Sequence, residues 1–170
     1  KRTASLLAAA LTVAAANIVP AAAQQTPAGT PAPLPACTTL ETYGDIRKCE
    51  SNLADLYQQG ISVFLATKDA VGLTDDSDRM DELIKVGTQT IANSSCRNLR
   101  PIFTMKPDNE PLADVAKAAF VDILKDETCY MGEQADIIEN FEPRLQPAAE
   151  SLREAARTLQ ATVRVHNPAP

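Results

Sequence analysis

Apolar residues recur at helical spacing along most of the chain. The first such run is Ile46, Cys49, Leu53, Leu56, Tyr57, Phe64 and Val71, positions that return to one face of a helix. Asp45 stands where a cap is needed, and Gly72 is placed to end the segment. Just before it, Thr38 and Glu41 have capping-box spacing, which predicts a short helical turn that Gly44 interrupts. Gly60 costs about 1 kcal/mol inside a helix and precedes the strand-like run Ile61 to Leu65. No partner strand is evident elsewhere, so the whole segment reads as helix.

Thr74 to Asp78 is rich in capping residues and predicts a second helix with Met80, Leu83, Ile84, Gly87 and Ile91 on its inner face, stopping near Asn93 to Ser95. Pro101 and Pro107 make residues 97–110 a loop, and Asn109-Glu110-Pro111 predicts the next helix start. Leu112, Val115, Ala116, Ala119, Phe120, Ile123 and Leu124 form the third apolar stripe. Beyond Cys129 and Gly132, a separate shorter segment around Ile137, Ile138 and Phe141 is limited by Pro143 and Pro147. In the last run, Leu145, Ala149, Leu152, Ala156, Leu159 and Val163 alternate steps of four and three, a narrow seam of coiled-coil type. The predicted fold class is all-α, a four- to five-helix bundle.

The first residues do not share this pattern. Lys1 and Arg2 precede the uncharged apolar run Ala4 to Val19, and Pro20 breaks it ahead of Ala21-Ala22-Ala23, the three-part form of a cleaved secretory signal peptide over residues 1–23. An uncleaved helical anchor is the alternative, but the alanine-rich run is shorter than the roughly 20 apolar residues that span a bilayer. Residues 24–36, with Pro27, Pro31, Pro33 and Pro35, read as a flexible spacer. One helical domain over 37–166 and a flexible tail over 167–170 complete the organisation. The expected location is periplasmic or secreted.

Charge narrows the partners. Without Lys1 and Arg2 the chain carries 14 basic and 22 acidic residues, a net charge of -8. Nucleic acid and anionic bilayer surfaces are disfavoured, since both are bound through basic groups. No stable membrane insertion is expected after processing.

The four cysteines, Cys37, Cys49, Cys96 and Cys129, suit two disulfides in an oxidising compartment. Leu34-Pro35-Ala36-Cys37 loosely resembles a lipoprotein acylation site, but acylating Cys37 strands one of the other three. At 1.5 Å per residue, Cys49 to Val71 rises about 33 Å and Ser77 to Cys96 descends a little under 30 Å, which brings Cys49 and Cys96 to the same end. That favours Cys49 with Cys96 and Cys37 with Cys129 over Cys37 with Cys49 and Cys96 with Cys129.

Candidate chemistry is sparse. His166 is the lone histidine and lies near the end of the chain, where a solvated tail residue is expected and a positioned catalytic imidazole is not. The cysteines lack Cys-x-x-Cys spacing, and no cofactor or metal is called for. Asp75, Asp76, Asp78, Asp81 and Glu82 are the densest acidic cluster, yet they lack the order of a calcium loop and suit a helix N-terminus. Paired carboxylates can hydrolyse glycosides, but Trp is absent and aromatics are 4% of the chain. Ile102, Phe103 and Met105 form an apolar cluster between Pro101 and Pro107 that either covers the core or meets a partner.

These features lead to an exported, non-enzymatic binding or accessory protein of the bacterial envelope, such as a chaperone, inhibitor, immunity-type protein or adaptor, whose partner is a protein or small ligand there. Two alternatives stand beside it: a carboxylate-dependent hydrolase of envelope polymers, and a structural component that oligomerises through its last helix.

Overall fold

The computed structural model of the chain describes residues 31–75, 77–94, 96 and 104–167, the side chain of Ile91 excepted. They form α1 (Tyr43–Ala70), α2 (Asp78–Ala92), α3 (Asp114–Phe141) and α4 (Gln146–His166), with 3-10 turns at Pro35–Cys37 and Pro143–Leu145. The fold is all-helical, a four-helix bundle; the only β pairing among the described residues is an isolated bridge between Thr42 and Pro111.

α1 starts earlier than the sequence predicts. Thr42 is its cap: the Thr42 side chain accepts from the Asp45 amide, while Asp45 Oδ2 accepts from the amides of Glu41 and Thr42. Asp45 is thus the third helical residue, completing a capping box in place of the expected Thr38 and Glu41 pair. Thr38 instead donates its hydroxyl to the Pro35 carbonyl. Gly44 lies within the helix, and Gly60 is buried inside it, where an added Cβ would stand 3.4 Å from Leu152 Cδ2. The absent side chain lets α1 and α4 approach closely. Gly72, at φ +71°, turns the chain away from the helix end.

α3 is one continuous helix of 28 residues, not the two segments expected around Cys129 and Gly132. Its buried positions Phe120, Val121, Leu124, Glu127, Met131 and Ala135 run unbroken past both residues, so burial outweighs the roughly 1 kcal/mol that a helical glycine costs. The expected stripe fails at its beginning, because Leu112 precedes the helix and Val115 is 79% exposed.

α1, α3 and α4 enclose the main core, built from Leu40, Ile46, Cys49, Phe120, Leu124, Met131 and Leu159 among others. The α4 seam faces inward: Leu145, Ala149, Leu152 and Leu159 are buried, joined by Ala148, Ala155 and Thr162, while Ala156 and Val163 pack against the core. The stripe through which the oligomerising alternative has the last helix pair is covered within this chain. α2 is peripheral, and of its described side chains only Met80 and Leu83 are buried, in a second cluster with Leu73 and Leu145.

The spacer ends sooner than residue 36. Leu34 is buried, and its amide donates to Thr162 Oγ1 at 2.8 Å. The disulfides join Cys37 to Cys49 and Cys96 to Cys129, which overturns the favoured pairing of Cys49 with Cys96 and Cys37 with Cys129. Cys37 lies in a turn folded directly onto the start of α1. Cys129 lies near the middle of α3 and not past its end, level with the chain leaving α2.

Candidate functional site

Between α2 and the other three helices lies an open cleft of about 560 Å³. Phe64, Leu83, Ile137, Ile138 and Leu152 line it, and Ile61 of α1 and Ile84 of α2 form its rims. Ile84 is 58% exposed although the sequence pattern assigned it to the inner face. Gly87, also in the lining, has no atom within 4 Å of its Cβ position, so this strip of α2 is left uncovered. Three of the exposed large hydrophobic residues, Ile61, Leu65 and Ile84, gather on this side of the molecule. Leu65 follows Ile61 by one helical turn and continues its stripe.

Among the described residues, the polar side chains bordering the cleft are Asp75, Tyr57 and Gln134. Asp75 stands at the end where α1 gives way to α2. Its Oδ1 is 2.8 Å from Lys68 Nζ, which also meets Asp69 Oδ1 at 3.0 Å. Lys68 is only 4% exposed, and the Asp75 and then the Asp69 carboxylate hold its pKa above the ordinary lysine value against the opposing effect of burial. At the other end of the cleft, the Tyr57 hydroxyl donates to the buried carboxylate of Glu127, tying α1 to α3.

A second hollow, of about 470 Å³, lies on the opposite side of α2 and includes Glu133 and Asp136. These two acids sit three residues apart, neighbours on one face of α3. Glu133 accepts from the Ser94 hydroxyl, and Asp136 accepts from Arg153, whose pKa is raised by Glu139 and Asp136.

Other residues singled out by sequence have varied positions. Ile102, Phe103 and Asp76 lie outside the described residues. Met105 is on an exposed segment and does not border the cleft. Asp78 and Asp81 occupy the first turn of α2, and Glu82 pairs with Arg79, the arrangement that a helix N-terminus favours. His166 is not a solvated tail residue: it ends α4 half-buried, with Nε2 2.6 Å from the Cys37 carbonyl. Among the described residues, Cys96, Cys129 and Glu133 bring three potential metal-ligand atoms within 4.8 Å, but the two sulfurs are bonded to each other.

The cleft itself escaped sequence reading. The pattern puts both Gly87 and Ile84 on an inner face, and the signal of a gap is the glycine: an apolar stripe with a missing side chain leaves a gap unless a neighbour fills it.

The architecture defines a class, a disulfide-stapled bundle of four helices with an apolar cleft beside the second. No protein-family model, curated protein or solved structure matches this chain. Among the described residues no helix is long and apolar enough to cross a membrane.

Proposed function

We propose that this chain is an exported, non-enzymatic binding protein of the bacterial envelope, periplasmic or secreted, that takes an apolar ligand in the cleft between α1 and α2. The observation that carries the reading is the cleft: its volume falls in the range of roughly 300–1,000 Å³ common to small-ligand sites, and its lining is apolar with a few polar groups at its ends. The leader pattern at residues 1–23 and two disulfides support an oxidising destination.

The test is titration of the full chain with a naphthalene dye that fluoresces only in apolar surroundings. Saturable enhancement at one site per chain is expected. Gly87→Phe projects a ring into open space, with no predicted clash at its Cβ, and should abolish the enhancement while the helical circular dichroism is kept. Equal dye binding by that variant would remove the cleft from consideration.

A further inference from the structure

Among the described residues the cleft has one charged lining residue, Asp75, and its setting selects a ligand. Asp75 borders the apolar lining at one end of the cleft, with its side chain 85% exposed. Lys68 is shared between Asp75 and Asp69, so one cation serves two carboxylates and the group keeps a net negative charge. Asp78 and Asp81 follow in the first turn of α2. The whole chain is acidic as well, with 16 basic against 22 acidic residues, and such a field concentrates cations at its surface.

Shape restricts the rest of the ligand. The apolar lining continues from the Asp75 end past Phe64 and Leu83 to Tyr57, Gly87 and Gln134, and Tyr57 to Phe64 alone rises about 10 Å. A single flexible alkyl chain can lie along that length against the apolar lining.

From these observations, and resting on the binding reading above, we infer that the cleft takes a single-chain amphiphile with a cationic head, the chain lying between α1 and α2 and the ammonium group beside Asp75. Chain burial supplies most of the affinity, and the carboxylate supplies the choice of head.

The experiment is calorimetric titration of the full chain, disulfides intact, with dodecylammonium, dodecyl maltoside and dodecyl sulfate, each below its micelle concentration. Dodecylammonium should bind about 1.5- to fivefold more tightly than the maltoside, the scale of one exposed ion pair, and the sulfate should bind most weakly. Asp75→Asn should bring the ammonium compound down to the maltoside and leave the maltoside unchanged. Asp122→Asn removes an equal charge on α3, outside the lining and away from Lys68, so it should keep the preference.

If the maltoside equals dodecylammonium on the unaltered chain, the cationic head is refuted while apolar binding stands. If Asp122→Asn erases the preference as fully as Asp75→Asn, general acidity is responsible and the seat is refuted. If none of the three amphiphiles binds, both this inference and the reading beneath it fail. A dimer that dissociates on Ile84→Lys would make a second copy the occupant and would likewise overturn the inference.

Discussion

Gly44 shows how one missing methyl group can hold two segments together. It lies in the first turn of α1, and its amide donates to the Asp108 carbonyl at 3.0 Å. A Cβ added there would stand 3.0 Å from the same oxygen. That oxygen has little room to retreat, since Tyr43 also donates to the Glu110 carbonyl and Arg47 pairs with Asp108. Alanine in a helix normally gains about 1 kcal/mol over glycine. Here the clash opposes the gain, and we expect Gly44→Ala to lower unfolding stability by about 1–2 kcal/mol. Gly87→Ala, with open space around it, should instead raise stability by about 0.5–1 kcal/mol. Urea midpoints at unchanged slope measure both, and a stabilised Gly44→Ala would mean that residues 107–110 yield freely. Sequence reading treats glycines as punctuation, yet of Gly44, Gly60 and Gly72 only Gly72 ends an element. The other two are explained by Asp108 and Leu152, 64 and 92 positions away along the chain, which local patterning does not register.

At the scale of elements, the corner between α3 and α4 was legible in its prolines and not in its charges. Pro143 opens a 3-10 turn and Pro147 falls within the first two residues of α4, places where the missing amide costs nothing. Between the helices, Glu142 accepts from Arg144 Nε at 2.8 Å and from Nη2 at 2.9 Å. Arg144 also donates to the Val71 carbonyl, and Arg79 donates to the Phe141 carbonyl while its guanidinium sits 3.8 Å over the Phe141 ring. The corner thereby gathers the end of α1 and the start of α2. Hydrogen bonds from Arg144 bring the Glu142 carboxyl from 4.5 down to about 2, against the opposing effect of burial. A lowered folded-state pKa means that the unfolded chain takes up this proton first, so the contribution is complete above pH 4.5 and is lost as pH falls toward 2. Thermal melts of Glu142→Gln should lie below those of the parent at pH 6, with the gap closing between pH 4.5 and 2. A gap that is constant across this range would show that the carboxylate charge plays no part.

For the molecule as a whole, everything about α2 depends on how it is fastened. Its buried contacts among the described residues are Met80 and Leu83, and the chain leaving it is bonded through Cys96 to Cys129 on α3. The other disulfide, between Cys37 and Cys49, has non-covalent company: the Leu34 amide on Thr162 and His166 on the Cys37 carbonyl. Reading the bundle from periodicity was sound because three long amphipathic helices bury each other. Reading the pairing failed because it required the height of Cys129 along α3, and α3 runs on for 12 residues to Phe141, about 18 Å beyond the cysteine. The two bridges span 12 and 33 residues, for which chain entropy assigns about 2.8 and 3.7 kcal/mol respectively. Their local consequences should differ more than these totals. In Cys96→Ser/Cys129→Ser, α2 amides should exchange with solvent at the rate of a detached helix while those of α1, α3 and α4 stay protected. The same variant should lose dye binding, because a cleft with one wall free no longer presents Leu83 and Ile84 against Phe64 and Ile138. In Cys37→Ser/Cys49→Ser the protection of α2 relative to α3 should be unchanged. Should α2 remain as protected as α3 without its bridge, the buried pair Met80 and Leu83 must suffice to hold it, and the disulfide is then no part of what shapes the cleft.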